Sequence, residues 1–215
     1  MTEGYTPPPS TQRAVLDELR RRLSSGRLVP GDQIRQELVA SELSTSVVPV
    51  REALKTLESE GQVVHLPHRG FFVARLERSE LIELCDIRSA LEAMAVRRGL
   101  SSIADDTVDA MEQLIVDMED SDAAGDVATM VEQDRKFHFL LYRACGLSQL
   151  LRLITTTWDQ SDPYRAMFFN DGHHRTTNHA EHKEILEAVR RRDTEAVIAL
   201  LDAHRLSPLE HFEPE

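Results

Sequence analysis

The sequence predicts a mainly α-helical chain in two parts: a small N-terminal head ending in a β-hairpin, and a larger body of six antiparallel helices. Three observations predict it. Apolar residues recur at helical spacing over most of the 215 residues. The departures are two short β-prone runs, Val63-Val64-His65-Leu66 and Phe71-Phe72-Val73-Ala74, around Pro67-His68-Arg69-Gly70. Charge also changes between the parts: residues 1–76 carry ten Lys/Arg against nine Asp/Glu, whereas residues 77–215 carry 15 against 28. A near-neutral head on an acidic body points to two jobs, and the net charge of −12 belongs to the body.

Residues 1–10 read as a flexible arm, because Pro7-Pro8-Pro9 supplies no backbone donors. A first helix fits 11–24, with Val15, Leu16, Leu19 and Leu23 on one face; Ser25-Gly26 ends it and Pro30-Gly31-Asp32 makes a turn. A short second helix fits 36–43, with Leu38, Val39 and Leu43 expected to face inward. Ser44-Thr45-Ser46 suits the N-cap of a third helix, whose first turn tolerates Pro49 and whose buried stripe is Ala53, Leu54 and Leu57. Gly61 ends it, and the hairpin follows. Helix, helix, turn, helix, hairpin is the plan of a winged helix-turn-helix, placed at 11–76.

From residue 79 to 210 no strand signal survives. Helices fit 79–99, 105–124, 126–145, 148–169, 177–192 and 194–207, with breaks at Gly99, Gly125, Gly146, Gly172 and Asp193. The short connections favour antiparallel neighbours, hence a bundle. No apolar run approaches the ~18 residues a membrane span needs, the first ten residues have no signal-peptide core, and Cys85 and Cys145 make no disulfide framework. A cytoplasmic protein without a membrane partner is the expectation.

The head carries a constellation for nucleic acid. A recognition helix offers its N-terminal residues to base edges in the major groove, while nearby cations hold phosphates. Ser44, Thr45 and Ser46 stand at the cap, Arg51 and Lys55 follow at one-turn intervals, Arg35 precedes the second helix, and His68 and Arg69 sit at the hairpin tip. Each cation has a plainer reading as a solubilising surface charge. The segment PVREALKTLESEGQVV, with LVPGDQIRQELVASEL before it and PHRGFFVARL after it, resembles the recognition helix and wing of the GntR family of bacterial transcription regulators. That resemblance implies a homodimer on double-stranded operator DNA. Relatives carry Ser-Arg-Thr-Pro-Val-Arg ahead of Glu-Ala-Leu, where this chain has Ser46-Val47-Val48-Pro49-Val50-Arg51. Val47 cannot hydrogen-bond guanine but can touch a thymine methyl, which sets the usual family operator aside.

In the body, Asp134 and His138 stand at i and i+4, on one helix face. His182 and His204 each lie 11 residues from the break at Asp193, so a helical hairpin would bring them level. One carboxylate and three imidazoles suit zinc, nickel or manganese. The plainer readings are a hydrogen-bonded Asp–His pair and a solvated His-rich segment, and His173, His174 and His179 are rival ligands. The body resembles the FCD-type ligand-binding domain of GntR regulators, in its shorter, VanR-like branch; Asp134, His138, His182 and His204 match its Asp-x-x-x-His, Glu-His and final His. The resemblance implies a divalent ion and a small carboxylate effector that modulates operator affinity. Arg88 matches the position where relatives meet that carboxylate, with Asp134 or Glu92 as its structural alternatives. Arg165 is a second pocket candidate. Glu132 and Glu181 neighbour the ligands in sequence but are expected off their face. A metal-dependent hydrolase or lyase is a rival lacking a placed base or nucleophile, and a sensor of the ion itself is a third reading. A regulator rather than an enzyme is the expectation.

Overall fold

The computed structural model describes residues 10–169 and 172–206, so the proline-rich arm at 1–9 and residues 207–210 of the expected body lie outside the described residues. Within them, helix α1 (Thr11–Ser24) starts at Ser10, whose side chain accepts the backbone N–H of Arg13 at 3.3 Å. Ser10 therefore belongs to the helix as its cap rather than to the arm. Val15, Leu16, Leu19 and Leu23 bury one face of α1, which packs against α3 (Val47–Ser59). Between them runs α2 (Gln36–Glu42). It buries Val39 and Ala40, whereas Leu38 is 54% exposed. The expected inward face was rotated by one position, since two turns carry too few apolar residues to fix a phase.

The stripe of α3, Val50, Ala53, Leu54 and Leu57, is fully buried. Ser46 occupies its N-cap position, but its hydroxyl makes no capping hydrogen bond. The wing is an antiparallel pair, β2 (Val63–Leu66) and β3 (Gly70–Val73), in register Val63↔Val73 through Leu66↔Gly70. A strand the sequence did not reveal, β1 (Gln33–Ile34), pairs with the far edge of β3, giving the order β1-β3-β2. Two residues are too short to show alternation.

The body contains α4 (Arg78–Gly99), a 3-10 turn at Leu100–Ser102, α5 (Asp105–Ala123), α6 (Val127–Arg143), α7 (Ser148–Phe169), α8 (Gly172–Arg190) and α9 (Thr194–Leu206). Helix α8 begins five residues before the expected 177, so Gly172 opens a helix instead of breaking one. Tertiary contacts hold that extra turn: His174 stacks on Phe168, and Arg175 donates to Asp122 and to the carbonyl of Phe169. A core of Met111, Met118, Met130, Phe137, Leu141, Tyr142, Ile154 and Trp158 sits between the helices, separate from the apolar cluster of the head. No helix among the described residues is long and apolar enough to cross a membrane.

Helix α7 joins the two parts. Gln160 donates to the carbonyl of Glu60 at 2.9 Å, just beyond the C-terminus of α3, and Tyr164 accepts the backbone N–H of Leu76. Gly61 adopts φ +78°, a backbone conformation that favours glycine, and a Cβ there would stand 2.7 Å from the amide nitrogen at the end of the Gln160 side chain. Pro163 lies inside α7 and cannot donate the helical bond that the carbonyl of Asp159 would otherwise accept.

Gly99 lets the end of α4 touch the end of α6. A Cβ there would lie 2.4 Å from the backbone nitrogen of Cys145 and 2.6 Å from the carbonyl carbon of Ala144. Backbone cannot rotate aside as a side chain can. Gly99→Ala is therefore expected to lower stability by roughly 1–3 kcal/mol, read from the urea midpoint, despite alanine's better helix propensity.

Candidate functional site

Four side chains meet inside the bundle. Helix α6 supplies Asp134 and His138, one turn apart; α8 supplies His182 and α9 supplies His204. One ligand atom from each lies within 4.8 Å of the other three. His138 Nε2 is 3.2 Å from His204 Nε2 and 3.3 Å from His182 Nε2, and His182 Nε2 is 3.1 Å from Asp134 Oδ1. Such spacings match neighbouring ligands around an ion with bonds of about 2.0–2.2 Å. Asp134, His138 and His182 are buried.

Proton positions sharpen the picture. His182 Nδ1 faces the carbonyl oxygen of Asn178 at 2.7 Å, and His204 Nδ1 faces Glu181 Oε2 at 2.7 Å. Both Nδ1 atoms must donate, so in the neutral rings both Nε2 atoms present lone pairs to the centre. These two lone pairs and the Asp134 oxygen converge on one point, an acceptor-rich centre that suits a cation, or in its absence the Nε2 proton of His138. Asp134 Oδ1 and His138 Nδ1 are buried without hydrogen-bond partners. The donor set fits a transition ion. Glu181, expected off the ligand face, orients His204, while Glu132 pairs with Lys136 on the surface. The rivals go elsewhere: His174 stacks on Phe168 and His179 faces Asp122 at 3.1 Å. The side chain of His173 lies outside the described residues.

Beside this centre is a cavity of ≈ 50 Å³. Its polar wall is Arg88, Arg165, Arg205, Ser161, Asn178 and His204, and its apolar wall includes Leu81, Tyr164 and Phe168. Arg165 donates to Asp134 Oδ2 and to Asp162, and its guanidinium lies 4.2 Å from the Trp158 ring centre. Arg88 takes the Glu92 alternative at 2.9 Å, also reaches Ser161 at 3.1 Å, and lies 4.2 Å from the same indole. Glu92 further accepts from Arg205, Tyr142 and Trp158 at 2.7, 2.8 and 2.7 Å. Burial pushes its carboxyl up, but Arg88, Arg205 and the hydrogen bonds outweigh that and bring its pKa down to about 2. Glu92 follows from its i,i+4 spacing to Arg88, whereas helical spacing alone does not reveal Arg205 or Asn178 as neighbours of this site.

The head's predicted residues lie at its surface. Arg35 is the exposed N-cap of α2, and Arg51 on α3 donates to Gln36 at 2.9 Å, bracing the two helices. Lys55 pairs with Glu52 at 3.0 Å. Ser44 and Ser46 are exposed and Thr45 is half-buried; Ser44 adopts φ +50° in the turn. His68, at φ +60°, and Arg69 are exposed between β2 and β3, with Arg69 against the Phe72 ring. Val47 is half-buried against the edge of the head's core, and Val48 beside it is 69% exposed.

A winged-helix head on an all-helical body is the build of a bacterial transcription regulator. The gntR family of bacterial regulatory proteins matches residues 11–73, and the FCD domain matches residues 83–206. The chain belongs to the GntR family, in the group that carries an FCD domain. It is 30% identical over 177 residues to the Nta operon transcriptional regulator of Aminobacter aminovorans, covering 81% of each chain. It is 27% identical over 203 residues to the HTH-type transcriptional repressor GlaR of Escherichia coli, covering 89% of this chain and 90% of that one. The solved structure of E. coli McbR/YncC matches with a TM-score of 0.84 at 23% identity over 93% of this chain and 95% of that one, which is a likeness of fold. The family and these relatives are regulators, so the hydrolase and lyase reading is set aside.

Burial holds the imidazoles of His182 and His204 down to a pKa of about 4, and lowers that of His138 as well. In the unfolded chain the same rings take up protons near pH 6.5. The unfolded state therefore binds more protons between those values, and stability is lost as pH falls from about 6.5 towards 4. Chelator-stripped protein should melt progressively lower across that window, and His182→Gln should flatten the dependence.

Proposed function

We propose that this regulator binds operator DNA as a homodimer, holds a divalent transition ion on Asp134, His138, His182 and His204, and binds a small carboxylate beside it that changes operator affinity. Supporting the ion are three imidazole Nε2 atoms converging on one carboxylate oxygen, two of the rings having their Nδ1 protons committed outwards. Zinc, nickel and manganese all accept such a set. The ion would supply a fixed positive charge and open coordination positions. Arg88 and Arg165 reinforce it from the cavity wall, whose described residues include three arginines, each bonded on its other side to a carboxylate: Arg88 and Arg205 to Glu92, and Arg165 to Asp134 and Asp162. In that enclosed space local charge outweighs the chain's net −12.

Helix α7 offers the route to the head. Trp158, Ser161 and Arg165 face the cavity, Gln160 holds Glu60 at the end of α3, and Tyr164 both lines the cavity and holds the backbone of Leu76. A ligand that shifts these side chains moves groups already bonded to the DNA-binding part, and coupling of this kind is reciprocal. On α4, Ile87 and Met94 stand two turns apart and are 43% and 50% exposed, a face suited to a second copy of the chain.

Three outcomes are expected. Purified protein should carry an ion detectable by elemental analysis. His138→Ala and His204→Ala should lose it, and the chelator-dependent part of thermal stability with it, while His174→Ala keeps both. Carboxylates should then raise the melting temperature of the metal-loaded protein, and Arg88→Ala should lose most of that shift while retaining the ion. Full occupancy in His204→Ala would place the ion elsewhere. On the head, Arg51→Ala should weaken binding to a selected operator by about 1–3 kcal/mol if it reads a base, measured by fluorescence anisotropy. Unchanged affinity would overturn the docking orientation.

A further inference from the structure

The first turn of α3 presents an apolar side chain where the rest of the outward face is charged. Val48 is 69% exposed, the highest value of any large apolar residue among those described. At 3.6 residues per turn it lies about 170° around the helix from the middle of the buried stripe Val50, Ala53, Leu54 and Leu57. Val47 lies about 70° from that stripe and is half-buried. Arg51, Glu52 and Lys55 fall within about 60° of Val48, so the four share one face. Lys55 is paired with Glu52 at 3.0 Å. Arg51 is braced through its Nε by Gln36 at 2.9 Å, and its terminal nitrogens pair with no acid among the described residues.

A lone exposed valine is common on protein surfaces and by itself says nothing. Its place does. In a GntR head α3 is the recognition helix, and such a helix gives the residues of its first turns to the major groove. The group that an apolar side chain meets there is the C5-methyl of thymine, which adenine, guanine and cytosine lack. Valine, branched at Cβ, holds one χ1 rotamer in a helix, so it offers a stiff apolar surface with little rotamer freedom to lose on contact. Val48 and Arg51 stand three residues apart, which puts their Cβ atoms about 5–6 Å from each other. Successive base pairs are about 3.4 Å apart, so two such side chains reach bases one or two steps apart.

We infer that Val48 is a specificity-determining residue that reads a thymine methyl in each half-site of the operator, one or two base pairs from the base met by Arg51. This rests on the proposed binding of operator DNA by a homodimer and adds a base that the head selects. Burying one methyl against the valine is worth about four-fold in affinity.

The test uses a duplex that the full-length chain selects from random sequences, rebuilt with deoxyuridine in place of thymine at one symmetric pair of positions at a time. Deoxyuridine keeps every hydrogen-bonding atom of thymine and lacks only the methyl. At one such pair the wild-type chain should bind about 4- to 16-fold more weakly, read by fluorescence anisotropy at constant salt. Val48→Ala changes an exposed position to a better helix former and should fold as the wild type does. Its affinities for the thymine and deoxyuridine duplexes should agree within about two-fold, and its affinity for random duplex should match the wild type. Equal wild-type binding of thymine and deoxyuridine duplexes at every position overturns the inference and leaves operator binding standing. So does a penalty that survives in Val48→Ala, or a loss that this variant shows equally on random duplex. Failure of the selection to enrich any sequence overturns the operator reading and this inference with it.

Discussion

A carboxylate buried as deeply as Glu92 keeps its charge only because donors reach it from four helices: Arg88 on its own helix, Tyr142 on α6, Trp158 on α7 and Arg205 on α9. Taking such a group out of water costs several kcal/mol, and a lone partner seldom offsets that. Here two guanidinium groups and two neutral donors share the task, which is why the carboxyl settles well below its ordinary range. The geometry of the interior follows. Glu92 sets the directions of Arg88 and Arg205, and its bond to the indole holds Trp158 as a flat wall against Arg88 and Arg165. The cavity is thus shaped by a group that does not line it.

The acidic exterior and this interior have opposite electrostatic characters. Exposed carboxylates on the outer faces of α5 and α8 lie in water and are screened within about a Debye length. Inside, the histidine rings are held neutral by burial, so their lone pairs stay available at ordinary pH. Guanidinium groups supply the positive charge because arginine keeps its proton where lysine or histidine would lose it. Net charge and pI describe the surface of such a molecule and say little about the charges gathered within a few ångströms of Trp158.

Local periodicity made part of this legible. Asp134 and His138 are one turn apart on a single helix, and His182 and His204 follow from folding two helices back at Asp193; both relations need only helix geometry, and the structure brings the four together. Arg205, Asn178 and Glu181 were hidden for the opposite reason: their positions relative to the site depend on how α8 and α9 rotate against α4 and α7, which no spacing in one chain encodes. In the head, the α3 stripe was plain because Val50 to Leu57 spans two turns, whereas α2 was too short to phase and Leu38 fell on the wrong side. The valines at the start of α3 show the same limit. Sequence alone did not separate the two, and the fold leaves Val48 exposed and Val47 half-buried.

Pro163 gives α7 an uneven stiffness. The missing bond to the Asp159 carbonyl removes one rung of the helical ladder, worth about 1 kcal/mol, between Gln160 and Tyr164. A rod weakened there flexes at that joint before it shears elsewhere. Ile154 and Trp158, on the N-terminal side, and Phe168 and Phe169, on the other, are anchored in the core, while Arg165 lines the cavity. The two grips on the head, Gln160 and Tyr164, thus straddle the missing rung of the helix.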